Sequence, residues 1–202
     1  MRLGVLRTLT MKSTILTSVF LLISFLAFSQ SLEESWEAEQ NYRQTGMMVL
    51  GGWAVANIAS GLVMRSNTTG VDSRFWEMNA IWNGVNLAIA GFGYFSAAKL
   101  GTDGSAFELY QEQMGMDKTL LFNAGLDLGY IAAGAWMMER SKNVSKNPDL
   151  WKGYGKSIML QGAFLFAFDV AMVLIHKKVT IGDRMELSFD AGLGQVGMRL
   201  VF

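Results

Sequence analysis

Four long apolar segments separated by polar connectors organise this chain, at 46–64, 76–98, 119–138 and 157–175. At a helical rise of about 1.5 Å per residue each one reaches about 30 Å, the thickness of a bilayer's hydrocarbon core. A helix facing water carries charged residues along its outer stripe, and these segments have no such stripe. The pattern predicts an all-α membrane protein, a four-transmembrane-helix bundle over 46–178. After Lys178 the period changes. Met185, Leu187 and Phe189 alternate with Glu186, Ser188 and Asp190, AGLGQ follows, and Val196, Met198, Leu200 and Phe202 alternate in turn. Alternation around a glycine turn predicts a short extramembrane β-hairpin within 179–202. One hairpin cannot close a barrel, and an open sheet edge cannot cross lipid.

Ahead of the first span, MKSTILTSVFLLISFLAFSQ places Lys12 before an apolar run from Ile15 to Phe28, with small residues leading to Ser29. This is the pattern of a secretory signal peptide over 1–29, with an uncleaved first helix as the alternative. Residues 30–45 then predict a polar helical lead-in. Ser31 and Glu34 have capping-box spacing, and Trp36 and Tyr42 suit the headgroup level. Between the spans, SNTTG reads as a turn, Ser105 and Glu108 form a second capping-box pair, and Asn147-Pro148 marks a helix start. With the leader removed, the loops after the first and third spans carry Arg65, Arg74, Arg140, Lys142, Lys146, Lys152 and Lys156, against Lys99 and Lys118 in the loop after the second. Positive charge marks the cytoplasmic side. The expected location is therefore the bacterial inner membrane, with the mature amino terminus and the tail in the periplasm, although Lys177, Lys178 and Arg184 run against the trend.

Composition narrows the chemistry. The chain is 51% apolar and 17% charged with no net charge, and no basic stripe offers nucleic acid a phosphate-binding face. The lipid bilayer is the expected partner, joined by a membrane protein or a second copy of the chain. Cysteine is absent and His176 is the single histidine, so thiolate chemistry, Cys-based zinc sites and bis-histidine haem are excluded. No cofactor and no metal is expected. His176, beside Lys177 and Lys178, reads as an interfacial anchor. GLGQVG in the tail lacks the strand-to-helix context of a dinucleotide site, and with no catalytic motif the expectation is not an enzyme.

What remains is polarity inside the spans. Asn57, Asn86, Asp127 and Asp169 lie near the four span centres. Asn79, Asn83 and Asn86 share one side of the second span, Asn123 and Asp127 lie one turn apart, and Gln161, Asp169 and His176 align along the fourth. An ionisable group at that depth costs at least about 2.5 kcal/mol on insertion scales. Asn57, Asn83, Asn86, Asn123, Asp127 and Asp169 are thus the candidate polar core or binding site, with Asp169 or an intervening Asn the expected partner of Asp127. Rows of small residues, such as Gly125, Gly129 and Ala133 or Ala163, Ala167 and Ala171, lie on the opposite faces and suit close helix packing. Two functions fit: an integral inner-membrane protein with a structural or partner-binding role, or a small transporter or proton-linked carrier using the Asn/Asp cluster. Transporters commonly break helices near the midplane, and every span here lacks proline, which favours the first.

The leader ending FLAFSQ, the segment GGWAVANIASGLV and the following FWEMNAIWNGVNLAIAGFGYF resemble a family of small uncharacterised membrane proteins from Bacteroidota. The resemblance implies four helices after a signal segment and a short tail ending in Phe. It implies no activity, substrate or catalytic residue.

Overall fold

In a computed structural model the chain forms four helices, α1 (Arg2–Asn67), α2 (Gly70–Ala98), α3 (Ala106–Arg140) and α4 (Pro148–Arg184). The structure describes the backbone of residues 2–184, 188–192 and 195–199, and the side chains of 32–177. In the tail, Ser188–Gly192 pairs antiparallel with Gln195–Arg199. The predicted alternation at 185–187, the turn at 193–194 and the terminal 200–202 lie outside the described residues.

Local signals set most of the breaks. Only Thr68 and Thr69 separate α1 from α2, which begins at Gly70 with a φ of 60° that favours glycine. Ser105 caps α3, its hydroxyl accepting from the Glu108 N–H while the Glu108 carboxylate accepts from the Ser105 N–H. Pro148 opens α4, and the carbonyl of Asn147 accepts from the N–H groups of Leu150 and Trp151.

The expected start at Ser31 is not a start. Helix α1 runs straight through it, because a cap forms only where the chain leaves helical geometry and neither flank supplies a breaker. Nor do the lead-in aromatics face headgroups. Trp36 is buried with its indole N–H donating to the Gly104 carbonyl at 3.0 Å, and the buried Tyr42 hydroxyl donates to the Met172 carbonyl at 2.7 Å. The lead-in is part of the bundle.

Two helical hairpins, α1–α2 and α3–α4, meet mainly along α2 and α4, whereas the backbones of α2 and α3 stay apart over the described residues. Helices approach most closely at glycines the small-residue rows did not single out. A Cβ on Gly134 would stand 2.6 Å from the Gly155 carbonyl oxygen, one on Gly162 would stand 2.9 Å from that of Asp127, and one on Gly153 would stand 2.5 Å from that of Val71. The expected packing rows instead turn outward. Gly125, Gly129 and Ala133 are exposed, as are Ala163, Ala167 and Ala171, and a Cβ on Gly125 or Gly129 would meet nothing within 4 Å. The polar faces take the interior, and rows on the opposite side of each helix are carried to the exterior with them.

The outcome is a bundle with polar groups inside and apolar groups outside. Asn79, Asn83, Gln161 and Glu39 are fully buried, while Phe92 is 80% exposed and Phe95, Phe122 and Trp136 also face outward. By length and apolar composition two helices are able to cross a membrane, over Leu32–Asn67 and Pro148–Lys177. The inward Asn and Asp residues of α2 and α3 lower the hydropathy of those helices without facing outward themselves.

Candidate functional site

Three polar layers stack along the inner face of α4. Gln161, Asp169 and His176 are all buried and, at about 1.5 Å of rise per residue, lie roughly 10–12 Å apart.

The first layer is made of amides and is closed. The Trp53 indole N–H donates to Gln161 Oε1 at 3.0 Å, the Gln161 amide donates to Asn79 Oδ1, and the Asn79 amide donates to Asn57 Oδ1 at 2.9 Å. Asn57 donates in turn to the Trp53 carbonyl at 2.8 Å, and Asn83 to the Asn79 carbonyl at 2.8 Å. Stacking of Trp53 on Phe164, with ring centroids 3.8 Å apart, holds α1 to α4 beside this network. Every one of these amides has both its oxygen and its nitrogen engaged, Asn83 Oδ1 accepting from Asn86, which is how a buried polar network becomes structural.

The middle layer is open. The carboxyls of Asp127 and Asp169, 3% and 6% exposed, lie beside each other. Two like charges side by side and out of water repel, which favours one proton held between the two groups. Asp127 Oδ2 meets no N–H or O–H donor; the other buried oxygen in that position among the described side chains is Ser157 Oγ. Both carboxyls line a cavity of about 690 Å³, and so do Asn86 and Asn123. This cavity lies in the gap between the α2 and α3 backbones, with Leu50 and Phe168 at its back and the exposed Val85, Ile89, Phe92 and Leu126 at its mouth. Trp82 and Tyr130 meet edge to face across it, their centroids 4.8 Å apart.

The third layer is a cap that the sequence did not assemble. His176 is 1% exposed, with Nδ1 2.6 Å from Asp117 Oδ1 and Nε2 2.7 Å from Glu39 Oε2. A carboxyl at each nitrogen favours the doubly protonated imidazolium, which donates to both. Tyr42 stacks on it at 4.6 Å, and Arg43 joins Glu39 at 2.7 Å and Glu112 at 3.0 Å. His176 lies one residue beyond the expected fourth span. Burial disfavours the charged ring, yet the hydrogen bonds to Glu39 and Asp117 outweigh it, and the pKa stands above the usual histidine value. Glu39 shows the counterpart: burial pushes its carboxyl up, while hydrogen bonds from His176 and Arg43 hold it below the usual range. His176 is therefore no interfacial anchor but the centre of a buried ion cluster. A usable signal was present, since Trp36, Glu39 and Tyr42 recur at helical spacing and put Glu39 on the apolar face of the lead-in.

Of the six candidate residues, Asn86, Asn123, Asp127 and Asp169 come together at the cavity. Asn57 and Asn83 belong to the closed amide layer instead. Asp127 lies beside Asp169, one of the two kinds of partner expected for it, whereas Asn57 turns toward Asn79 and Gln161. Among the described residues no group of three or more His, Asp or Glu side chains is arranged to hold a metal.

No curated protein and no solved structure matches the chain. One family model does, over residues 49–170, which take in the amide layer, the carboxyl pair and the cavity lining except Met47, but not Glu39 or His176. Because the match covers more than half of the sequence, the chain belongs to the family of unknown function DUF6992.

Proposed function

We propose that this protein is a non-enzymatic inner-membrane protein whose four helices all cross the bilayer after a cleaved leader, and that it holds a small molecule in the cleft between α2 and α3. The observation that carries the ligand site is the Asp127–Asp169 pair, nine-tenths buried, short of a donor and facing a cavity of about 690 Å³. Cavities of this size suit small ligands, and an ionisable group at membrane depth is a functional-site hypothesis by default. The four-span arrangement is supported by large apolar side chains pointing outward on α2 and α3 as well as on α1 and α4. In water, apolar faces of that extent would drive aggregation.

A structural, partner-binding role draws support from a different observation. The small-residue rows face outward and would let a second membrane helix approach closely.

The chain's lack of cysteine permits a direct test. Single cysteines at Thr102 and Ser145 should react with a membrane-impermeant maleimide from opposite sides of the membrane; reaction from the same side would remove the four-span reading. A cysteine at Leu126, in the cleft, should be protected when small amphiphiles are added to the reconstituted protein. Unchanged labelling across cationic, neutral and anionic amphiphiles would leave the structural role standing in its place.

A further inference from the structure

We infer that the ligand of the α2–α3 cleft is an amphiphilic monocation, an alkyl- or arylalkylammonium, which displaces the proton shared by Asp127 and Asp169. The inference rests on the cleft being a ligand site and adds the chemical class.

Charge argues first. Asp127 and Asp169 holding one proton between them carry a single negative charge, and no Lys, Arg or His lines the cavity to balance it. The other titratable side chain on the lining is Tyr130, on α3; the lining residues of α1 and α2 include none. A bound anion would face this charge unscreened, and a neutral ligand would leave the carboxyls as they are. An ammonium takes the place of the shared proton charge for charge, and it brings several N–H donors to the carboxyl oxygens, among them the donorless Asp127 Oδ2.

Shape argues next. Apart from the two carboxyls and the amides of Asn86 and Asn123, the walls are built mainly of Leu, Val, Ile, Phe and Met side chains, and the rings of Trp82, Tyr130 and Phe168 share the lining with the carboxyls. A small hydrated metal ion would leave most of this apolar volume unfilled, whereas an ammonium with a hydrocarbon or aryl tail uses both halves. The exposed Val85, Ile89, Phe92 and Leu126 at the mouth place the opening on the outward side of the bundle, so an amphiphile would arrive sideways from lipid.

Binding balances as an exchange. The ammonium ion enters, its N–H groups donate to the carboxylates, and the shared proton leaves to bulk solvent, with no bond to carbon made or broken. One proton is released per ligand bound, and affinity falls as pH falls because protons compete for the same oxygens.

The test uses the full chain in phosphatidylcholine nanodiscs, titrated with 4-phenylbutylammonium, 4-phenylbutanol and 4-phenylbutanoate while Trp fluorescence and proton release are followed in weak buffer. The expected result is at least tenfold tighter binding of the ammonium than of either analogue, close to one proton released, and at least a tenfold loss of affinity with loss of proton release in Asp127→Asn/Asp169→Asn. Alcohol and ammonium binding equally without proton release would overturn the cationic class while leaving the cleft as a ligand site. Failure of all three to bind would overturn the ligand site itself. The comparison among ligands is made on the unsubstituted protein, so it decides the matter even if the double variant folds poorly. Adding phosphatidylethanolamine to the discs separates two sources of the same headgroup: competition with the ammonium, at least threefold, supports a lipid amine, and no competition supports a free one.

Discussion

The cap and the middle layer start from similar ingredients, two carboxyls on different helices, and end in opposite states. In the cap, Glu39 and Asp117 close around His176, with Arg43 behind Glu39 and the Tyr42 ring covering the imidazolium. In the middle, Asp127 and Asp169 have only each other and a cavity. A buried cation with hydrogen bonds to spare turns a pair of acids into a clamp. A pair of acids without one must take a proton or a cation from elsewhere. The first is the chemistry of holding helices together, the second that of exchange.

The largest expected effect comes from emptying the cap. His176→Ala takes away the cation between Glu39 and Asp117 and leaves Glu39 with Arg43 alone, and removing one partner of a buried ion pair costs up to about 3–5 kcal/mol. A fall in melting temperature measured in detergent checks it; melting like the unsubstituted protein would mean that the cap contributes nothing to stability.

The same clamp can be loosened reversibly with pH. His176's pKa is raised above its ordinary 6.5, so its contribution is fully present below pH 6.5 and is lost as pH rises through the raised value. Glu39's is lowered from 4.5, so its contribution is present above pH 4.5 and is lost as pH falls through the depressed value. Stability from the clamp is expected to be greatest between those two ordinary values and to decline on either side. Melting curves across pH should show the alkaline decline in the natural protein and lose it in His176→Ala.

Next in size is the amide layer. Asn79→Ala breaks the links to both Gln161 and Asn57, and unsatisfied buried amides cost about 1–3 kcal/mol. Denaturant unfolding in mixed micelles measures it. Comparable in scale is the backbone contact at Gly134, where Gly134→Ala forces a methyl against the Gly155 carbonyl and overpacking of this kind costs about 1–3 kcal/mol. Gly129→Ala, with open space around it, is the matched control and is expected to change stability by no more than about 0.5 kcal/mol, in the range of substitutions away from packed features. If the two variants melt alike, Gly134 is not where α3 and α4 touch.

The smallest effect on stability is expected from the middle layer. Replacing both Asp127 and Asp169 by Asn keeps their shape and lets an amide N–H take over the contact between them, so stability should move by less than about 1 kcal/mol, because exchanging one hydrogen-bonding pair for another of the same shape is nearly neutral. A loss as large as that of His176→Ala would make the pair a second clamp and erase the contrast between the two layers.

Much of the helical layout was legible from local chemistry. Ser105–Glu108 and Asn147-Pro148 start helices because caps and a first-turn proline act on their own backbone, within a few residues. The burial of Asn79, Asn83 and Asn86 followed from helical spacing, as did that of Asp127 and Asp169. Ser31 misled because its capping pattern lies inside an uninterrupted helix, and a pattern alone does not interrupt one. His176 misled because its lysine neighbours in sequence are not its neighbours in space.

Taken by itself, the order of residues determined four helical segments, their turns, and which face of each helix is polar, since a 3.6-residue period and its interruptions are local properties. Tertiary structure alone decided which polar faces meet. It sent Asn57 to Gln161 through Asn79, carried Glu39 across to His176, 137 positions away, and left α2 and α3 apart so that Asp127 and Asp169 face a cavity. Those outcomes depend on where glycines such as Gly134, Gly153 and Gly162 let backbones touch. A close approach belongs to a pair of surfaces, so neither helix encodes it alone.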